Sequence, residues 1–170
     1  MPEAHAFSTI PTKILVPIDF SPSSHAAVES AADLAQHFGA ALHLVHVIPM
    51  FPTTTLPDFI PETKFNEEMT KEAERHFAAV SADLGSKGLK VTSSVETGDD
   101  VSSAILDAVE SENADMVVIS THGLTGWHPL VFGSIAEKVM KLVSCPVLLL
   151  RTPKPVSSAK VASGRLMEWW

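Results

Sequence analysis

The sequence predicts an α/β domain built on a doubly wound, five-stranded parallel sheet. Two observations carry the prediction. Five short apolar runs alternate with four amphipathic stretches, the pattern of parallel strands joined by helical crossovers. The chain has 170 residues, 45% hydrophobic and 19% charged, which suits one folded domain with a full core.

The elements follow in order. KILVPI (Lys13 to Ile18) is a short apolar run of the kind that forms a buried parallel strand. Ser21 before Pro22 is an N-cap with proline at the first helical position. Ala27, Val28, Ala31, Leu34, Ala35 and Phe38 then recur at helical spacing, and Gly39 stops the helix. ALHLVHVI (Ala41 to Ile48) is the second strand. Pro49, Pro52, Pro57 and Pro61 make the next stretch a long loop, a form often used for lids and contact sites. A helix from Glu62 to about Leu84 carries an inner stripe of Phe65, Met69, Ala73, His76, Phe77 and Val80.

Leu89 to Gly98 alternates as a half-exposed edge strand does. Asp99 or Asp100 caps a helix that runs to about Glu112. DMVVIS (Asp115 to Ser120) is the fourth strand, Ser134 to Val143 a helix, and CPVLLLR (Cys145 to Arg151) the fifth strand. The expected division is an N-terminal arm over residues 1–12, the domain over 13–151 and a tail over 152–170. The tail ends on the apolar residues Leu166, Met167, Trp169 and Trp170, which either cover a neighbouring surface or stay disordered.

Charge and motif content exclude several functions. The net charge is −8, from 12 basic and 20 acidic residues with no dense basic cluster, so nucleic acid is not an expected partner. No apolar run is long enough to span a bilayer, and no secretory signal opens the chain. One cysteine, Cys145, makes no internal disulfide, so the expected compartment is the cytoplasm. Cys145 itself reads as a small buried apolar residue. His43 and His46, three apart on a strand, face opposite ways and do not share a metal. No GxSxG, CxxC or GxxxxGK[ST] pattern occurs, and no nucleophile–base pair stands out.

The stretch STHGLTGWHPLVFGS, Ser120 to Ser134, holds the candidate chemistry. It leaves a strand end, where ligands bind in doubly wound sheets, and it ends at a helix start. Glycine lets backbone approach a ligand closely, and a helix N-terminus offers free N–H groups and positive dipole. Gly133-Ser134 therefore reads as an anion site, most naturally for phosphate. Ser134 with Glu137 equally fits a capping box. His122 is either a phosphate donor or a loop histidine bonded to backbone. Asp19 is either a turn residue or a ligand for ribose hydroxyls.

From Gly123 the loop runs through nine residues to Gly133-Ser134, and in this it resembles the ATP-binding loop of the universal stress protein family. KILVPIDFSPSS, LVHVIP and CPVLLLR resemble that family's first, second and closing strands, so the likeness spans about Thr12 to Arg151. The resemblance implies a flavodoxin-like, Rossmann-like sheet of order 3-2-1-4-5. It implies that Asp19 bonds ribose or adenine, and that Pro17 and Val47 line the adenine pocket, Val47 through its backbone. It further implies that Gly123, Gly133 and Ser134 hold phosphates, with a backbone N–H from Ile135. Magnesium would enter on the bound phosphates. One position departs: the family's first glycine falls on Ser120, whose side chain either crowds the nucleotide or replaces a backbone contact.

The resemblance also implies a homodimer paired through the fifth strand, Val147, Leu148, Leu149 and Leu150. The expected function is thus a cytoplasmic stress-response protein that binds ATP and acts as a nucleotide-responsive dimer. Two alternatives remain: an interaction scaffold with a pocket blocked at Ser120, and a slow ATP hydrolase.

Overall fold

The computed structural model describes residues 10–50, 62–121 and 133–151. The elements are β1 (Lys13–Pro17), α1 (Pro22–Phe38), β2 (Ala41–Pro49), α2 (Glu62–Ser86), β3 (Val91–Gly98), α3 (Val101–Ser111), β4 (Met116–Ser120), α4 (Ser134–Leu142) and β5 (Val147–Leu150). The strands form one parallel sheet in the order β3-β2-β1-β4-β5, as expected.

Local chemistry sets the helix ends. Ser21 is extended (φ −73°, ψ 157°) and its hydroxyl accepts from the Ser24 amide at 3.2 Å, with Pro22 at the first turn. Gly39 closes α1 with φ 72°, a left-handed conformation that glycine adopts without steric cost. Of the two candidate caps for α3, Asp100 is the one used, accepting from the Ser102 amide at 3.0 Å.

The central strands alternate between two cores. Ile14 and Val16 of β1 face α1 and α2, where they meet Ala27, Ala31, Phe77 and Val80. Leu15 of the same strand faces α3 and α4, meeting Ile105, Val109 and Val139. Ile14, Leu15 and Val16 are fully buried, which is why this strand reads as a continuous apolar run. β3, at the sheet edge, is only partly covered.

Three expectations are corrected. Phe38, the last residue of α1, is 38% exposed and packs edge-on against His37. Met69 is also 38% exposed and lies over a cleft instead of the sheet. Cys145 is half-buried beside the α3–α4 core; burial pushes its thiol pKa up, which disfavours the reactive thiolate.

Candidate functional site

The carboxyl ends of β1, β2 and β4 open into one cleft of about 450 Å³. That lies within the range of about 300–1,000 Å³ common for small-molecule sites. Its walls are mainly apolar: Val45 and Val47 from β2, Ile105 from α3, Ile119 from β4, and Phe65 and Met69 from α2.

One rim is the turn between β1 and α1. Past the end of β1, the Ile18 amide still donates to the Val45 carbonyl at 2.9 Å. The chain then leaves the sheet at Asp19. Asp19 Oδ1 accepts from the Ser21 amide at 3.0 Å and from the Ser21 hydroxyl at 2.5 Å, an aspartate turn that leads into the N-cap. The Asp19 amide donates to Ser24 Oγ at 3.4 Å. Phe20 between them has φ 59°, in the left-handed region. Its ring lies 4.7 Å from that of His46, 4.8 Å from that of His76 and 5.6 Å from that of Phe77.

The opposite rim is where β4 ends and α4 begins. The Thr121 amide donates to the Leu150 carbonyl at 2.8 Å, and the Gly133 amide donates to the Thr121 carbonyl at 2.8 Å. A Cβ on Gly133 would stand 3.0 Å from that same carbonyl oxygen, so a side chain there would press on it. Gly133 occupies the N-cap of α4 and its carbonyl accepts from the Glu137 amide at 3.0 Å. Ser134 is therefore the first helical residue, and the capping-box reading of Ser134 is corrected. The first-turn amides of Ser134 and Ile135 belong to the set that a helix leaves without intrahelical acceptors. Lys138 of α4 pairs with Asp100 at the start of α3, and its hydrogen bond holds the Asp100 carboxyl down to about 2.

Seven sequence-predicted residues line this cleft: Pro17, Asp19, Val47, Ser120, Gly133, Ser134 and Ile135. His122 and Gly123 lie outside the described residues. Phe65, Met69, Val101 and Ile105 also line the cleft, though helical spacing marked Phe65 and Met69 only as core. His46 lines it as well; the sequence indicated which way the strand turns it but not what it touches. The two strand histidines do diverge as expected. His43 is buried between Thr92 and Ser94 of β3, at 2.8 and 3.2 Å, and His46 sits at the cleft with Nδ1 2.8 Å from the Ile18 carbonyl. Among the described residues, no group of three His, Cys, Asp or Glu side chains is arranged to hold a metal, and no helix is long and apolar enough to cross a membrane.

The cleft offers an apolar slot, a carboxylate at one rim, and a helix start at the other.

Comparison with known proteins identifies the family and the fold. Residues 11–151 match the universal stress protein family. The chain is 30% identical over 142 residues to universal stress protein MJ0531 of Methanocaldococcus jannaschii, covering 84% of this chain and 83% of that one. The solved structure of the hypothetical protein MJ0577, from the same organism, superposes with a TM-score of 0.75 at 26% identity, covering 85% and 99% of the two chains. The fold is shared, at 20% identity and a TM-score of 0.58, by a universal stress protein from Archaeoglobus fulgidus solved in complex with dAMP, over 82% of this chain and 98% of that one. The chain belongs to the universal stress protein family.

Proposed function

We propose that this protein binds an adenine nucleotide, ATP in the first instance, in the cleft between the Asp19 turn and the start of α4. The observation that carries the reading is the pairing of those two rims across an apolar slot of about 450 Å³. Asp19 receives the ribose hydroxyls. The base lies against Pro17 and the backbone of Val47. The amides of Ser134 and Ile135 face the phosphates, where the α4 dipole favours negative charge. His122 and Gly123, which follow β4 in the sequence, are the further candidates for phosphate contact. Magnesium rides on the phosphates, since it keeps most of its waters and needs few protein ligands. The dAMP complex of the Archaeoglobus relative supports an adenine ligand for this fold.

The same reading makes the protein a cytoplasmic, nucleotide-responsive homodimer. β5 stands at the end of the sheet order with Leu148 37% exposed, which fits pairing with a second copy through Val147 to Leu150. The Thr121–Leu150 bond joins that strand to the base of the nucleotide loop. Calorimetric titration with ATP and Mg²⁺ is expected to give saturable heat near one site per chain. No saturable heat at high micromolar protein would overturn the assignment.

One observation favours a second reading. Ser120 lines the cleft where the family pattern has its first glycine, so its side chain competes for space with the ligand. On that reading the protein is a dimeric interaction scaffold. A Ser120→Gly variant that gains ATP binding absent from the parent supports the scaffold, and equal binding by both supports the nucleotide protein.

A further inference from the structure

His46 does more than fill the strand. The β1–β2 register ends at Pro17↔Val45. The Ala41 amide donates to the Thr12 carbonyl, so the odd-numbered residues of β2 turn their backbone groups toward β1. Continued by one step, that ladder would bring the Val47 amide to the Ile18 carbonyl. The Ile18 carbonyl instead meets the His46 ring, 2.8 Å from Nδ1. A carbonyl only accepts, so Nδ1 carries the proton and donates. The ring also packs at 4.7 Å on Phe20, whose left-handed conformation completes the turn.

His46 thus touches the residue before Asp19 and the residue after it. We infer that His46 is a positioning residue for the nucleoside end of the cleft. By capping the β1 ladder at Ile18 and bracing Phe20, it fixes the bearing of the Asp19 carboxylate. By the same contact it ends the ladder short of Val47, whose backbone is then turned to the cleft. This rests on the nucleotide reading above and adds to it a residue that acts through its neighbours.

The test uses the full-length protein and ATP, with two variants that separate donor from ring. His46→Asn offers an amide N–H near the position of Nδ1, and His46→Phe keeps the ring but removes the donor. A single lost hydrogen bond of ordinary strength corresponds to about tenfold in affinity. His46→Phe is therefore expected to weaken ATP about tenfold, and His46→Asn to stay within about threefold of the parent. Hydrogen exchange over residues 18–21 in ligand-free protein is expected to speed up in His46→Phe and to return toward the parental rate in His46→Asn. Should His46→Phe fail to fold, His46→Gln takes its place, since its amide reaches the Nε2 position and misses the Ile18 carbonyl. Parental affinity in His46→Phe, or equal weakening in His46→Phe and His46→Asn, overturns the positioning role while leaving the nucleotide reading intact. Absence of ATP binding by the parent overturns the nucleotide reading, and this inference with it.

Discussion

The two ends of the sheet are built on opposite plans, and the two histidines of β2 mark them. At the amino end, polar groups close on one another. Asp115 accepts from the Thr12 amide at 3.0 and 2.9 Å, from its hydroxyl at 2.6 Å and from the Lys13 amide at 3.0 Å, tying the start of β1 to the start of β4. Lys13 Nζ donates to Glu112 at 3.1 Å, and that carboxylate also lies 3.5 Å from buried His43. At the carboxyl end, β1 stops opposite Val45 while β2 runs on to Pro49, and among the described residues a cleft lies beyond the strand ends. Single residues there hold turns in shape: the His46 ring for the Asp19 turn, and the backbone of Gly133 for the meeting of β4 and α4. One end is closed by polar contacts, and the other is left open as the cleft. This matches the rule that doubly wound sheets bind beyond their carboxyl ends.

Changes at each end should break different properties. The largest effect is expected from Gly133→Val. Its Cβ would press on the Thr121 carbonyl, costing about 1–3 kcal/mol of strain and removing measurable ATP binding by calorimetry. Retained binding would show that the close approach at Gly133 is not needed for the ligand. Next is Asp115→Ala at the other end, expected to lower stability in urea by about 1–2 kcal/mol while leaving ATP affinity unchanged. A fall in affinity would show that the two ends are coupled.

The pH response sharpens the comparison further. Burial holds the pKa values of His25, His43 and His46 below the ordinary 6.5, although the Ile18 carbonyl pulls that of His46 upward and Glu112 that of His43. Below pH 6.5 the unfolded chain therefore binds more protons than the folded one, and stability falls as pH drops from 6.5 toward the lowered folded values. The carboxylates give a second, lower step. Asp100 is lowered to about 2 by Lys138, but the pair is solvent-exposed and adds little to this step. Glu112 is lowered first by the Lys13 hydrogen bond. For Asp115, burial alone would raise the value, but the bonds from Thr12 and Lys13 outweigh it and bring it down. Their contribution is full at neutral pH and is lost as acid protonates them. Thermal melts from pH 8 to 3 should show both steps. His43→Asn should flatten the upper one without touching ATP binding, whereas His46→Asn should flatten it with at most the small affinity change expected above. The smallest effect belongs to Lys138→Ala, whose partner Asp100 is solvent-exposed, so the melting temperature at neutral pH should barely move. A large drop would make the α3–α4 pair a structural clamp on the cleft.

Features with a local cause were legible in the sequence. Ser21-Pro22 starts a helix and Gly39 ends one because capping and left-handed backbone depend on a few adjacent residues. Gly133-Ser134 was legible as a motif, but its physical reason was not: the Thr121 carbonyl that a side chain would strike is twelve positions earlier. Helical spacing grouped Met69 with the core of α2, since periodicity reports a face and not how far the helix extends past the sheet. Ser134 followed by Glu137 matched a capping pattern that a close backbone contact shifted by one residue.

The sequence by itself determined the alternation of strands and helices, the two ends of α1 and the glycine at the start of α4, because each depends on short-range periodicity and backbone conformation. Only the tertiary structure decided which side chains share the cleft. Asp19, Val47, Ser120 and Ser134 come from four separate segments, and His46 finds the Ile18 carbonyl across 28 positions because β2 lies beside β1 in one particular register. Register is a property of the packed sheet: shifted by one residue, His46 would face α3 and the Asp19 turn would lose its brace.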